Sequence, residues 1–178
     1  MRSYHDVEDV AGEAIAVLAE QTAALAIWGD AMHMAISELC DNALQHGENA
    51  LGAYICVDRI EEPQPTFRLA IADLGIGIPE HVRAEYPEWQ DDSGAIGQAL
   101  ERGVTGTGDP YRGNGFAEVF DVALENELVR QQSSGRIDIR SGKGRVAVEL
   151  VGGVKKIITP AVDHSRRGTW ITYTVTSI

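Results

Sequence analysis

The stretch SELCDNALQHG, residues 37–47, decides how this chain is read. It has the composition of a helix that stops at a glycine, since Gly47 is a natural C-terminal breaker. Its apolar residues Ile36, Leu39, Cys40, Ala43 and Leu44 recur at i, i+3, i+4, i+7 and i+8, which predicts one face packed on a core. Beside that stripe stand Glu38, Asn42 and His46, one turn apart and within ~80° of each other around the helix. A carboxylate, an amide and an imidazole in a row suit a ligand. Asp41 and Gln45 are polar too, so a solvated helix face explains the same letters.

The rest of the chain places this helix in a fold. Residues 7–28 are rich in alanine and predict an N-terminal helix. Gly29 and Asp30 predict a break and an N-cap for the helix at 31–46. AYICVDRI (53–60) and TFRLAIAD (66–73) predict two strands joined by the turn-forming EEPQPT, a plausible antiparallel pair. A short helix is expected near 93–102 and another over 116–130. GRIDIRS, RVAVELV, VKKIIT and GTWITYTV then predict a strand meander. A mixture of this kind predicts an α+β two-layer sandwich, with a mixed, mostly antiparallel sheet and helices on one face.

Composition narrows the function. The 178 residues carry a formal net charge of −12. An acidic surface repels phosphate backbones and anionic lipid heads, so direct nucleic-acid or membrane binding is not expected. A nucleotide remains possible, because Mg²⁺ and backbone N–H groups hold one without a basic patch. Cys40 and Cys56 have neither metal-ligand nor disulfide spacing and read as small buried apolar residues, which suits a reducing cytoplasm. No apolar run approaches a membrane span, and the N-terminus has no signal-peptide core.

Three further stretches carry chemistry. IADLGIGIP (71–79) places Asp73 at a strand exit, followed by Gly75 and Gly77. A carboxylate there must meet donors, and the glycines let backbone approach a flat heterocycle that offers N–H groups. A simple turn has the same letters. GVTGTGDPYRGNG (103–115) leads into a helix start, whose N–H groups form an anion site; a loose surface loop is the other reading. Gly168 and Thr169 open the last strand. Neither a Walker loop nor a Rossmann fingerprint is present: Gly142-Lys143 is followed by Gly144, and GIGIPE lacks the third glycine.

In this order the four stretches resemble the GHKL superfamily of ATP-binding proteins, which includes DNA gyrase and topoisomerase ATPase domains, ninety-kilodalton heat-shock chaperones, histidine kinases and MutL. ELCDNALQHG is similar to that family's N box, DLGIGIP to its first glycine box, RGNGFAEV to its second, and GTWI to its final Gly-Thr element. The resemblance spans roughly residues 31–176 and implies the Bergerat fold. It divides the chain into a flanking helix at 1–30 and an ATP-binding domain at 31–178, with a lid at about 85–112.

AISELCDNALQHG is most similar to the anti-sigma-factor serine kinases. Ahead of this helix there is room for one helix but not for a phosphoacceptor hairpin, so a complete histidine kinase is not expected. The resemblance implies that Asn42 gives its oxygen to Mg²⁺ and that Glu38 is a general base. Asp73 accepts the adenine N–H with support from Thr169, Gly75 and Gly77 clear space beside Ile78, and Gly113 and Gly115 meet the phosphates with Arg112 nearby. His46 is expected to pack rather than react.

The function implied is a Mg-ATP-dependent serine/threonine kinase or anti-sigma-like regulator of a protein partner, STAS-like or of the sigma-factor kind. The alternatives are a nucleotide-gated interaction module without turnover, or an ATPase subunit whose hydrolysis closes a homodimer. The chain departs from the family pattern at Phe116, where leucine is usual after Gly115. It departs also in the long acidic segment 85–103 and in an insertion-like hairpin at 152–167.

Overall fold

The computed structural model describes residues 4–19, 29–46, 51–60, 63–101, 133–151 and 154–177. Four helices are described: α1 (Tyr4–Ala19), α2 (Gly29–His46), α3 (Ile78–Glu85) and α4 (Asp92–Ala99). Six strands form one sheet: β1 (Ala53–Ile60), β2 (Thr66–Asp73), β3 (Ser133–Gly142), β4 (Gly144–Val151), β5 (Val154–Ile158) and β6 (Arg166–Ser177). Their order across the sheet is β1-β2-β6-β3-β4-β5, and every pairing among them is antiparallel. β6, last in sequence, therefore sits centrally and joins the β1–β2 hairpin to the β3–β4–β5 meander.

Strand register explains the core. Ile55 pairs with Ile71, Ile71 with Ile171, Ile171 with Ile139 and Ile139 with Val146. The next row runs Val57, Leu69, Tyr173, Ile137 and Val148. These rows share one face, as the period of two requires. They meet Ile36, Leu39, Cys40 and Ala43 of α2, Val7, Ala11 and Ala14 of α1, and Ile96 of α4 in one buried cluster. Burying a large aliphatic side chain contributes about 1.5–3 kcal/mol, so these rows dominate the folding energy. The opposite face carries Tyr54, Arg68, Asp138, Arg145 and Trp170, and there Arg145 and Arg136 both bind Asp138.

The two-layer α+β arrangement, the β1 and β2 boundaries and the α2 stripe agree with the sequence reading. Two details differ. Asp30 lies inside α2, which begins at Gly29. Cys56 is exposed and only Cys40 is buried. The alternation in β1 explains the second difference: Ile55 and Val57 point to the core, and Cys56 between them points away. The helix expected at 116–130 lies outside the described residues.

Candidate functional site

The inner face of the sheet is apolar until its last row, and that row is polar. Continuing the alternation Phe67, Leu69, Ile71 along β2 brings Asp73 to the core side. Along β6 the same step back from Ile171 gives Thr169, and along β3 the step on from Ile139 gives Ser141, its pairing partner. Asp73 is 3% exposed and Ser141 is fully buried; no other polar or charged residues are buried as deeply among those described.

Backbone donors hold Asp73. Its Oδ1 accepts the Gly75 N–H at 2.8 Å, and the Thr169 N–H also donates to the carboxylate. Burial raises its pKa above the ordinary carboxylate value, and the two backbone bonds only partly offset it. A further donor to the carboxylate would favour its charged form.

The glycine loop after β2 is fixed by Ser141. Its Oγ accepts the Ile78 N–H at 3.0 Å and donates to the Gly168 carbonyl at 2.7 Å. One buried hydroxyl thus ties the start of α3 to the start of β6. Gly77 caps α3 with φ 86° and ψ 159°, a region essentially reserved for glycine. A Cβ there would lie 2.6 Å from Ser141 Oγ and 3.2 Å from the Gly168 carbonyl oxygen. Gly168, at φ 73°, is closer still: its Cβ would lie 2.1 Å from the Asp73 carbonyl oxygen. The sequence reading found both glycines but not Ser141. A lone serine before a Gly-Lys-Gly turn carries no signal until β3 and β6 are seen to pair.

Helix α2 packs on β1 and β2, the strand that ends in Asp73. Glu38 and Asn42 are half-buried beside its packed stripe. Among the described residues Asn42 Nδ2 and Asp41 Oδ1 are buried with no hydrogen-bond partner. Which atom of an Asn amide is oxygen is assigned from its neighbours, so a buried amide end without a partner equally fits an oxygen offered to a hard cation. Burial raises the Asp41 pKa. It also pushes the Cys40 thiol up to about 12, with the Asp41 charge adding to the effect. Such a thiol is inert at neutral pH.

Of the expected site residues, Asp73, Gly75, Gly77, Ile78 and Thr169 meet at the polar end of the sheet, and Glu38 and Asn42 lie on the helix packed over β2. Arg112, Gly113 and Gly115 lie outside the described residues, as does the side chain of His46. Of the lid segment 85–112, residues 85–101 are described, and within them α4 buries Ala95 and Ile96 against β4.

Asp92 anchors this region. It accepts hydrogen bonds from Arg83 of α3 and, at 2.6 Å, from the Lys143 N–H in the β3–β4 turn. Burial would raise its pKa, but the Arg83 bond, the Lys143 bond and both positive charges outweigh it and hold the carboxyl below its ordinary value.

Residues 29–176 match the family model described as histidine kinase-, DNA gyrase B- and HSP90-like ATPase. Similar solved structures include the mycobacterial sensor histidine kinase MprB, 20% identical over 84% of this chain and 72% of that one, with a TM-score of 0.44. They include also the gyrase B 43K ATPase domain of Thermus thermophilus in complex with an aminocoumarin, 18% identical over 82% of this chain and 33% of that one, TM-score 0.39. The topoisomerase IV ATP-binding domain of Francisella tularensis, in complex with a small-molecule inhibitor, is 20% identical over 78% of this chain and 60% of that one, TM-score 0.40. The chain thus spans about a third of the gyrase chain and three fifths of the topoisomerase chain. No match is found among curated proteins. With the family model covering most of its length, the chain belongs to the histidine kinase-, DNA gyrase B- and HSP90-like ATPases, the GHKL superfamily, as an ATP-binding domain.

Proposed function

We propose that the chain is a cytoplasmic Mg-ATP-dependent protein kinase of the serine/threonine type, acting as an anti-sigma-like regulator of a protein partner. One observation supports a catalytic role over passive binding: α2 carries Glu38 one helical turn from Asn42, both half-buried beside the face packed on the sheet. A pure nucleotide-binding module needs the amide for the metal but has no use for the carboxylate.

Each residue then has a distinct task. Asp73 accepts the adenine exocyclic N–H, held ready by the Gly75 and Thr169 N–H groups. Gly75, Gly77 and Ile78 shape the space for the base, and Ser141 fixes their loop. Asn42 offers its oxygen to Mg²⁺, whose charge would offset that of the phosphates. Arg112, Gly113 and Gly115 are assigned to the phosphates, under a lid at about 85–112. Bound ATP supplies the transferable phosphoryl group. Glu38 takes the proton of the acceptor hydroxyl, a role worth ~10²–10⁴ in rate.

The test uses γ-labelled ATP with wild type and Glu38→Gln, alone and with lysate. The reading expects label on one protein with wild type and about a hundredfold less with the variant, at equal ATP affinity. Release of phosphate without transfer would favour the ATPase reading. No turnover under any condition would favour the nucleotide-gated module.

A further inference from the structure

A cavity of about 520 Å³ lies against the other flank of the glycine loop, sharing Ile76 and Pro79 with it. Neither Asn42 nor Asp73 lines it, so it is separate from the nucleotide site. Its size is that of a small-molecule pocket. Its charge runs against the chain's: Arg83, Lys143, Arg166 and Arg167 line it with three carboxylates, in a protein of net charge −12.

The carboxylates are already engaged. Glu80 pairs with Arg83 at 3.7 Å, Asp92 binds Arg83 and the Lys143 N–H, and Asp91 accepts the Gly94 N–H at 2.6 Å as the cap of α4. The cations across from them are less closely held, although Asp92 feels the Lys143 charge. Among the described residues Lys143, Arg166 and Arg167 form no ion pair, and Arg166 Nε is buried without a partner. Arg166 is also held in place: its guanidinium stacks 5.3 Å from the centre of the Trp170 ring, and the Trp170 indole N–H donates to the Arg167 carbonyl at 3.2 Å. A stacked guanidinium loses little freedom when it binds an anion. Ser165 adds a hydroxyl to the same wall.

We propose that this cavity is a second ligand site, which takes a small organic anion bearing a phosphate or carboxylate group between Lys143, Arg166 and Arg167. The occupant rests on residues 76–79, the segment that carries Gly77, so it bears on the loop that shapes the nucleotide site. The assignment stands on the cavity and its charges and does not depend on the kinase reading.

Trp170 provides the readout, because its indole N–H is bonded to a residue of the site. Inorganic phosphate, phosphoserine and succinate are titrated into the isotope-labelled chain, with sodium chloride at matched ionic strength as the control. The expected result is a saturable movement of the Trp170 indole signal with at least one of the three and none with chloride. Phosphate against succinate tells which anionic group is preferred. Lys143→Ala combined with Arg167→Ala alters two exposed side chains, so the fold and its amide spectrum should persist. Removing two charge-assisted contacts should raise the midpoint about tenfold or more. An unsaturable response, an equal response to chloride, or an unchanged midpoint in the double variant would each overturn the proposal.

Discussion

Gly77→Ala adds one methyl group, and the geometry gives its cost. At φ 86° and ψ 159° the backbone itself disfavours a side chain by about 1–3 kcal/mol. The new Cβ then meets Ser141 Oγ at 2.6 Å, with fixed backbone behind it at Gly168. The hydroxyl has to leave, and with it go the bonds to the Ile78 N–H and the Gly168 carbonyl. Each such bond is worth about 1 kcal/mol. The total, about 3–5 kcal/mol, is a large part of what an ordinary domain has.

Denaturant unfolding of four proteins measures this: wild type, Gly77→Ala, Ser141→Ala and the double variant. In the Ser141→Ala background the obstructing oxygen is gone, so adding the methyl should cost about 1–2 kcal/mol less than in wild type, a coupling typical of residues in contact. Gly12→Ala is the internal control. It lies in α1 with nothing within 4 Å of its Cβ position, and it should stabilise by about 0.5–1 kcal/mol. Gly77→Ala with wild-type stability, or a strictly additive double variant, would refute the assigned role of Ser141.

Other expectations follow from the same contacts. Nucleotide affinity should fall as pH drops through the raised pKa of Asp73, because the ionised carboxylate is the stronger acceptor of the ligand N–H; calorimetry across the acid range checks the direction. The folded protein shows the opposite sign at this residue: a raised carboxyl pKa contributes stability below its unfolded value, and that contribution is lost as pH rises through the folded one. Asp92→Ala should cost about 1.5–3 kcal/mol by removing a half-buried charge-assisted bond between α3, α4 and the β3–β4 turn. Asp92's folded pKa is lowered, so the difference from wild type should be full above its unfolded pKa and shrink as pH falls through the folded one, seen by thermal unfolding. A thiol reagent should modify Cys56 rapidly and Cys40 only on unfolding, giving one equivalent in the native state and two in denaturant.

What the sequence made legible was what depends on local letters. AYICVDRI and TFRLAIAD are alternating strands, and their boundaries were readable because EEPQPT stands between them. The α2 stripe was readable because Ile36, Leu39, Cys40 and Ala43 repeat at helical spacing. Asp73, Gly77 and Gly168 were readable because four stretches in a fixed order resemble one family, although each alone reads as an ordinary turn. Ser141 was not, since its partners Ile78 and Gly168 lie 63 and 27 residues away. The Arg83–Asp92–Lys143 tie was hidden for the same reason: its contact across 51 residues exists only once α4 packs on β4. Cys56 was misjudged because residue type suggested burial, whereas strand parity decided its exposure.

The central claim is that a nucleotide base is read by Asp73 at the polar end of the sheet. Titrating Mg-ATP into wild type and Asp73→Asn tests it most directly. The amide oxygen can keep accepting from the Gly75 N–H, so the fold should hold, and removing a buried charge with a raised pKa offsets what is lost. Its NH₂ would then face the adenine N–H, donor against donor. The lost charge-assisted bond is worth roughly 1.5–3 kcal/mol, which is about one to two decades in affinity. A folded Asp73→Asn that binds ATP at least tenfold more weakly is the result expected; a folded variant with wild-type affinity would contradict the account.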